Sequence, residues 1–109
     1  MVIEPSRITI PGGKAGYLMT SEGKAGIFGT VRPEGLQFTD PRDLLAALRQ
    51  HLLDNLDTVR SSGPMEGGGV KVNVRGPVVG PTGKSSGIKT VWGIDPDRTI
   101  RLITGMKAK

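Results

Sequence analysis

The chain of 109 residues is long enough for one domain with a single hydrophobic core. It has no cysteine and one histidine, which excludes a disulfide scaffold, a thiolate zinc site, a cysteine nucleophile and a two-histidine dyad within one chain. No apolar run has the length of a membrane span, and the first ten residues carry two charges and a proline. We therefore expect one domain over residues 1–109, with neither a membrane segment nor a signal peptide.

The positive charge is concentrated in the C-terminal part of the chain. The net charge is +5, and residues 67–109 hold eight basic and two acidic side chains. A basic surface of this kind raises the local concentration of phosphates. It is equally typical of a soluble surface with no anionic partner, so charge alone leaves both interpretations open.

The first forty residues predict only short elements. Ile8 and Ile10 alternate with polar residues and precede a Pro-Gly-Gly turn, which favours a short edge strand or an extended arm. The sequence Gly-Lys-Ala-Gly occurs at 13–16 and again at 23–26, each time followed by two apolar residues. Short helical turns and short strands both fit this near-repeat.

One main amphipathic helix is predicted over about 41–59. Asp40 can cap its first free amides, and Pro41 suits the first helical position. Leucines recur every four residues from position 44 to position 56, which indicates one buried stripe. The Ser-Ser-Gly-Pro sequence at 61–64 is predicted to end the helix.

Three strands are predicted over about 69–76, 87–94 and 99–105. In the first, valines alternate with Lys71, Asn73 and Arg75, so one face of the strand is apolar and the other is basic. The Asp-Pro-Asp-Arg sequence at 95–98 is predicted to form the turn before the last strand. A helix packed on one face of this antiparallel sheet gives an α+β domain.

The register of the last two strands decides which side chains share a face. If residues 95 and 98 close the turn as a pair, Trp92 lies opposite Arg101 and can stack on it, and Lys89 lies opposite Thr104. This register places Val91 on the core face and Trp92 on the other. A slip of one residue reverses the faces.

Few side chains suit catalysis or ligand binding. His51 is the only group whose unperturbed pKa lies near neutrality, and its position beside the leucine stripe fits either an acid–base residue facing a cleft or a semi-buried helix histidine. Lys14 and Lys24 lie among glycines, where a lysine can neutralise a phosphate or simply be solvated. Trp92 fits either a core position or a platform for base stacking.

Two further patterns concern phosphates. Residues 80–85 look like the end of a P-loop, but Val78 stands where that pattern needs its first glycine and a strand follows, so we predict a hairpin loop. Threonine is common in β-strands, so the presence of Thr90 and Thr104 can be explained without a function. A threonine hydroxyl beside Lys89 could nevertheless hold a scissile phosphate.

The order of several short motifs resembles a family of small bacterial domains that occur alone or at the C-termini of polymorphic toxins. The matching segments are Lys-Ala-Gly-Tyr-Leu at 14–18, Lys-Ala-Gly-Ile-Phe at 24–28, the leucine-rich helix with His51, Thr-Val-Trp at 90–92 and Arg-Leu-Ile-Thr at 101–104. The resemblance covers about residues 7–104. The family continues with Thr-Ala-Tyr-Pro, whereas this chain has Thr-Gly-Met-Lys at 104–107, so any role of that aromatic residue is absent here.

Such domains resemble the barnase–EndoU–colicin–RelE group of toxin ribonucleases, in which a helix packs on an antiparallel sheet whose face binds RNA. The resemblance implies a metal-independent endoribonuclease that cleaves tRNA or mRNA through the 2′-hydroxyl, with no cofactor. It implies His51 as the acid or base and Lys24 as the oxyanion stabiliser. Thr90 and Thr104 would orient the phosphate. RNA-binding residues would be Lys14, Lys89, Arg101 and Trp92.

A toxin of this kind implies two partners, RNA and an acidic immunity protein or antitoxin that covers the basic cleft. The expected site of action is the cytoplasm. Two alternatives remain from the residues alone: a basic module that binds nucleic acid without cleaving it, and a protein-interaction domain. Fold similarity to ribonucleases would not decide among them.

Overall fold

The computed structural model describes residues 7–10, 13–21 and 23–108. Its elements are β1 (Ile8–Thr9), α1 (Lys14–Thr20), α2 (Ala25–Phe28), α3 (Pro41–Asp54), a 3-10 turn (Leu56–Thr58), β2 (Arg60–Pro64), β3 (Val70–Val79), β4 (Ser85–Ile94) and β5 (Ile100–Lys107). The strands form one sheet in the order β1-β5-β4-β3-β2, in which β1 runs parallel to β5 and the other pairs are antiparallel. The predicted α+β fold is confirmed.

The main helix begins where the sequence predicts and ends earlier. Asp40 accepts a hydrogen bond from the Arg42 amide at 2.9 Å, which caps the first turn. The helix stops at Asp54 because Asn55 leaves the helical conformation, and its Nδ2 donates to the His51 carbonyl at 2.7 Å. The remaining residues of the predicted helix form the 3-10 turn. None of the described helices is long and apolar enough to cross a membrane.

The strand β2 was not predicted. It occupies the segment where the sequence indicates only a helix stop, and none of its residues is fully buried. It lies at the edge of the sheet, where a strand needs no apolar alternation because only its backbone pairs with a neighbour. The near-repeat at 13–16 and 23–26 begins helices α1 and α2. A hairpin loop connects β3 to β4 as predicted, but it is shorter than expected, because β3 continues to Val79 and β4 begins at Ser85.

The predicted register of β4 and β5 is wrong by one residue near the turn. Ile94 pairs with Ile100, since Arg98 adopts a left-handed conformation (φ 70°) and adds a residue to the loop. This shift at the turn pairs Trp92 with Leu102, and it pairs Arg101 with Gly93 on the opposite side of the sheet. A bulge after Leu102 then shifts the pairing again, so that Thr104 pairs with Val91.

Helix α3 packs on one side of the sheet, which we call the covered face. Val72, Trp92 and Leu102 form one buried row of this face, and Leu44 and Leu48 belong to the same hydrophobic cluster. Trp92 is the largest side chain that is completely buried. The strands β2 to β5 leave their other side, the open face, without a helix among the described residues. The alternation of residues along the strands therefore determines which candidate side chains reach solvent.

Candidate nucleic-acid interface

The open face carries most of the basic residues of the C-terminal half. The strand register places Lys71, Gly93 and Arg101 in one row across the sheet, and Arg75 and Lys89 pair in another. Arg60 pairs with Asn73 at the β2 edge of the same face. Of these five cations, Lys89 is half-buried and the other four are exposed. Neighbouring strands are about 4.8 Å apart, so these cations form a continuous basic surface.

Three of these cations have no protein partner among the described residues. Lys71, Arg75 and Lys89 make neither an ion pair nor a side-chain hydrogen bond there. Arg101 pairs with Asp95 at 3.5 Å, and Arg60 donates to the Val59 carbonyl at 2.9 Å. Cationic side chains without a partner among the described residues can bind phosphates without breaking a contact inside the protein.

Lys89 and Thr104 lie on the open face as diagonal neighbours. Thr104 pairs with Val91, and Lys89 pairs with Met106, so the two residues are offset by two positions rather than directly opposite as predicted. A diagonal offset leaves about 7–8 Å between the backbone positions, which long side chains can span. The hydroxyl and the ammonium can thus meet one phosphate between them.

An apolar patch lies inside the ring of cations. A Cβ added to Gly93 would come within 2.6 Å of Met65 Sδ and 3.4 Å of Ile103 Cδ1, so both side chains cover this glycine. Val91 lies beside them in β4 and is half-buried. The open face therefore combines charged groups for a phosphate backbone with apolar surface against which bases can lie.

His51 lies between α3 and β3 on the covered face, with 3% of its surface exposed. Neither ring nitrogen has a well-formed hydrogen bond to the described residues. Burial lowers the pKa of His51 below its ordinary 6.5, while backbone groups of Val74 and Pro77 and the charge of Asp54 oppose this shift more weakly. The ring is therefore shielded from solvent, as in a core histidine.

Thr90 and Trp92 belong to the core. Both are completely buried, and the indole Nε1 of Trp92 donates to Thr90 Oγ1 at 2.7 Å. In this arrangement the indole offers no face to a ligand and cannot stack on Arg101. The shifted register explains the difference from the sequence expectation, because it turns Trp92 to the covered face and Val91 to the open face.

Lys14 and Lys24 lie outside the open face. Lys24 Nζ donates to the Gly105 carbonyl at 2.7 Å and so satisfies a backbone oxygen of β5. Lys14 lies over the Tyr17 ring, with Nζ 5.7 Å from its centroid. The structure thus separates the eight candidate residues. Lys89, Thr104 and Arg101 share the open face, whereas His51, Thr90 and Trp92 share the covered face.

Sequence reasoning did not place Arg60, Lys71 or Arg75 in a site. The basic alternation of the strand at 70–75 was a usable signal for two of them, since every second residue faces one side of a strand. Arg60 gave no such signal because β2 lacks alternation. Within the described residues, no three His, Asp or Glu side chains come close enough to hold a metal ion together.

The fold is similar to that of a solved structure. The chain has a TM-score of 0.55 and 17% identity to a chain of the contact-dependent growth inhibition toxin–immunity protein complex from Klebsiella pneumoniae 342. The similarity covers 91% of this chain and 98% of that one. No protein-family model and no curated protein matches the sequence. At this identity the likeness shows a common fold.

Proposed function

We propose that this chain is a toxin domain that binds RNA on the open face and cleaves it without a metal ion. The observation that carries the proposal is the open face itself, where Lys71, Arg75 and Lys89 have no partner within the described part of the chain and Thr104 lies beside Lys89. The fold shared with a chain of a toxin–immunity protein complex supports the toxin assignment. The expected site of action is the cytoplasm of a cell, on tRNA or mRNA.

The proposed reaction is an internal transesterification. The 2′-hydroxyl of one nucleotide attacks the adjacent phosphorus, the bond to the 5′-oxygen breaks, and the products carry a 2′,3′-cyclic phosphate and a 5′-hydroxyl. The attacking hydroxyl gives its proton to a water molecule, and the leaving 5′-oxygen takes a proton from water. Lys89 would stabilise the extra negative charge on the phosphorane, and Thr104 would hold a non-bridging oxygen.

His51 and Lys24 are the residues that the family resemblance implies for acid–base work and charge stabilisation. In the folded chain His51 is shielded by the sheet, and the Lys24 ammonium is bound to the Gly105 carbonyl. Their participation in the reaction would require these contacts to open. We therefore assign the phosphate-binding step to Lys89 and Thr104, and leave Trp92 and Thr90 in the core.

The second candidate function is RNA binding without cleavage. The burial of His51 favours it, because the one side chain whose ordinary pKa lies near neutrality is not on the open face. Both candidates use the same cations, so they differ only in whether products form. In either case an acidic protein partner fits the open face by charge and would compete with RNA.

The test is a gel of total RNA and purified tRNA incubated with the protein in EDTA. Wild type is compared with Lys89→Gln/Thr104→Val and with Lys84→Gln, an exposed lysine in the β3–β4 loop. We expect discrete fragments ending in a cyclic phosphate with wild type and Lys84→Gln, and loss of these fragments with the double variant. Intact RNA that remains bound to wild type would favour the binding module. Fragments of equal yield from all three proteins would contradict the assigned site.

A further inference from the structure

A small groove lies between α2 and the ends of β4 and β5, away from the open face. The groove has a volume of about 90 Å³, and its polar lining residues are Arg32, Lys107, Ser86 and Glu34. A second hollow of about 210 Å³ shares Gly23, Gly26 and Arg32 with it. Arg32 therefore lines both hollows, and the open face does not use any of these residues.

The loop at 29–37 holds Arg32 in place. Leu36 and Phe38 donate their amides to the carbonyls of Ile27 and Phe28 at 2.8 and 2.9 Å, so the loop is fixed to α2 at its end. Gln37 Nε2 donates to the Arg32 carbonyl at 2.6 Å and also to the Gly35 carbonyl at 3.1 Å. Gln37 adopts φ 67°, a costly conformation for a side-chain-bearing residue. The loop is thus rigidly built although its tip is exposed.

Gly26 lets the arginine lie against the helix. A Cβ at Gly26 would be 3.1 Å from both Cδ and Nε of Arg32, so the stem of Arg32 crosses the bare backbone of α2. The guanidinium forms no ion pair and no hydrogen bond with the described residues. Glu34 lines the same groove without pairing with Arg32 or Lys107. The groove therefore presents two cations that form no ion pair with the described residues, and the stem of Arg32 is held against α2.

The end of β5 connects the groove to the open face. Met106 pairs with Lys89 on the open face, and the next residue, Lys107, pairs with Ile88 on the other side and lines the groove. The distance along β5 from Arg101 to Lys107 is about 20 Å at roughly 3.3 Å per residue. Cations thus continue from the open face around the end of the strand to Arg32.

We propose that Arg32 and Lys107 bind a backbone phosphate of the same RNA strand that lies on the open face. This inference rests on the proposed function and narrows its substrate class. The ligand is an RNA long enough to follow the open face and turn over the end of β5, rather than a dinucleotide. Arg32 suits a phosphate oxygen pair because its planar guanidinium can donate two parallel hydrogen bonds.

The test measures the affinity of an RNA of about twelve nucleotides, within the range that basic grooves accommodate, and of a dinucleotide, across a salt titration. For Arg32→Gln/Lys107→Gln we expect a larger loss for the longer RNA than for the dinucleotide, and a salt slope smaller by about one for each lost phosphate contact. Arg32→Lys should recover part of the loss. Glu34→Gln should strengthen binding of the longer RNA, because it removes the negative charge in the groove.

Arg98→Gln is the matched control, since it removes one exposed charge in the β4–β5 turn, at the opposite end of β5 from Lys107. The inference is overturned if Arg32→Gln and Lys107→Gln each weaken binding of the longer RNA no more than Arg98→Gln does, or if both RNA lengths lose affinity equally. Arg75→Gln/Lys89→Gln separates the two proposals. If that variant binds both RNAs as tightly as wild type, the open-face function itself fails, whatever the groove variants do.

Discussion

The two faces of the sheet are made by the same strands and differ in almost every physical property. In β4, Thr90 and Trp92 face the helix side and are completely buried, while Lys89 and Val91, which alternate with them along the strand, face the open side. Apolar burial and one internal hydrogen bond hold the covered face together. The open face carries charges that contribute little to folding. Along each strand, the residues that stabilise the fold therefore alternate with the residues that can bind a ligand. A substitution on the covered face should change the free energy of unfolding, whereas a substitution of its neighbour on the open face should change RNA affinity.

The largest effect is expected for Trp92→Ala on the covered face. Removal of a fully buried aromatic side chain leaves a cavity, and we expect a loss of about 3–5 kcal/mol in the free energy of unfolding, measured by urea denaturation. Val79→Ala is the control because Val79 is 60% exposed, and a surface change should stay within about 0.5 kcal/mol. A folded Trp92→Ala protein of near wild-type stability that has lost RNA binding would reverse the assignment of the two faces.

A smaller loss is expected when the partner of the indole is removed. Thr90→Val keeps the volume of the side chain but leaves the Trp92 N–H without its acceptor, which should cost about 1–3 kcal/mol of unfolding free energy. Thr90→Ser retains the hydroxyl and should lose less in the same denaturation experiment. If the serine variant is the less stable of the two, the hydrogen bond is not what makes Thr90 important.

On the open face, Arg75→Gln/Lys89→Gln should change binding and leave stability almost untouched. We expect the affinity for RNA to fall at least about tenfold, equivalent to about 1.4 kcal/mol, and the salt slope to decrease by about two. The unfolding free energy should change by less than about 1 kcal/mol, because neither side chain has an ion pair or a hydrogen bond with residues 7–10, 13–21 or 23–108. Parallel salt titrations and urea melts provide the measurements. An equal loss from Lys84→Gln would show that only net charge matters.

His51 gives a prediction that depends on pH. Its folded pKa is lowered below 6.5 by burial, so the unfolded chain takes up a proton near pH 6.5 while the folded chain does so only at lower pH. Stability is therefore fully present above 6.5 and falls below it, by at most about 1.4 kcal/mol per pH unit. His51→Leu should remove this part of the pH dependence between about pH 7.5 and pH 5 in urea melts.

The same variant distinguishes a core histidine from a catalytic one. If His51 serves only in the core, His51→Leu protein that remains folded should retain RNA cleavage at neutral pH. Loss of cleavage with an unchanged pH dependence of stability would instead support the acid–base role that the family resemblance implies. The gel used for the open-face variants measures cleavage, and urea melts of the same protein measure the pH dependence of stability.

The sequence predicts the large elements because their signals are local. The leucine spacing and Asp40 locate α3, and the valine alternation locates β3 together with its basic side. The register of β4 and β5 was not predictable in this way. It depends on the left-handed Arg98, a conformation that an arginine rarely adopts, and on a bulge near Leu102. The first feature pairs Trp92 with Leu102 in the core, and the second pairs Val91 with Thr104 on the open face.

The burial of His51 shows a second limit of sequence reasoning. Its position at the edge of the leucine stripe fits both a cleft and the core, and the choice depends on how α3 lies over β3. The strand β2 was missed because an exposed edge strand leaves no apolar pattern. The burial of His51 and the position of β2 at the sheet edge depend on tertiary packing, which local sequence patterns do not contain.

The most direct test of the central claim uses the absence of native cysteine in the chain. A single cysteine is introduced as Val91→Cys in the centre of the open face, or as Lys84→Cys in the β3–β4 loop, and its reaction rate with a thiol reagent is measured with and without saturating RNA. We expect RNA to slow the reaction of the Val91→Cys protein and to leave that of the Lys84→Cys protein nearly unchanged. Equal rates for the Val91→Cys protein with and without bound RNA would contradict the account, because the RNA would then lie elsewhere.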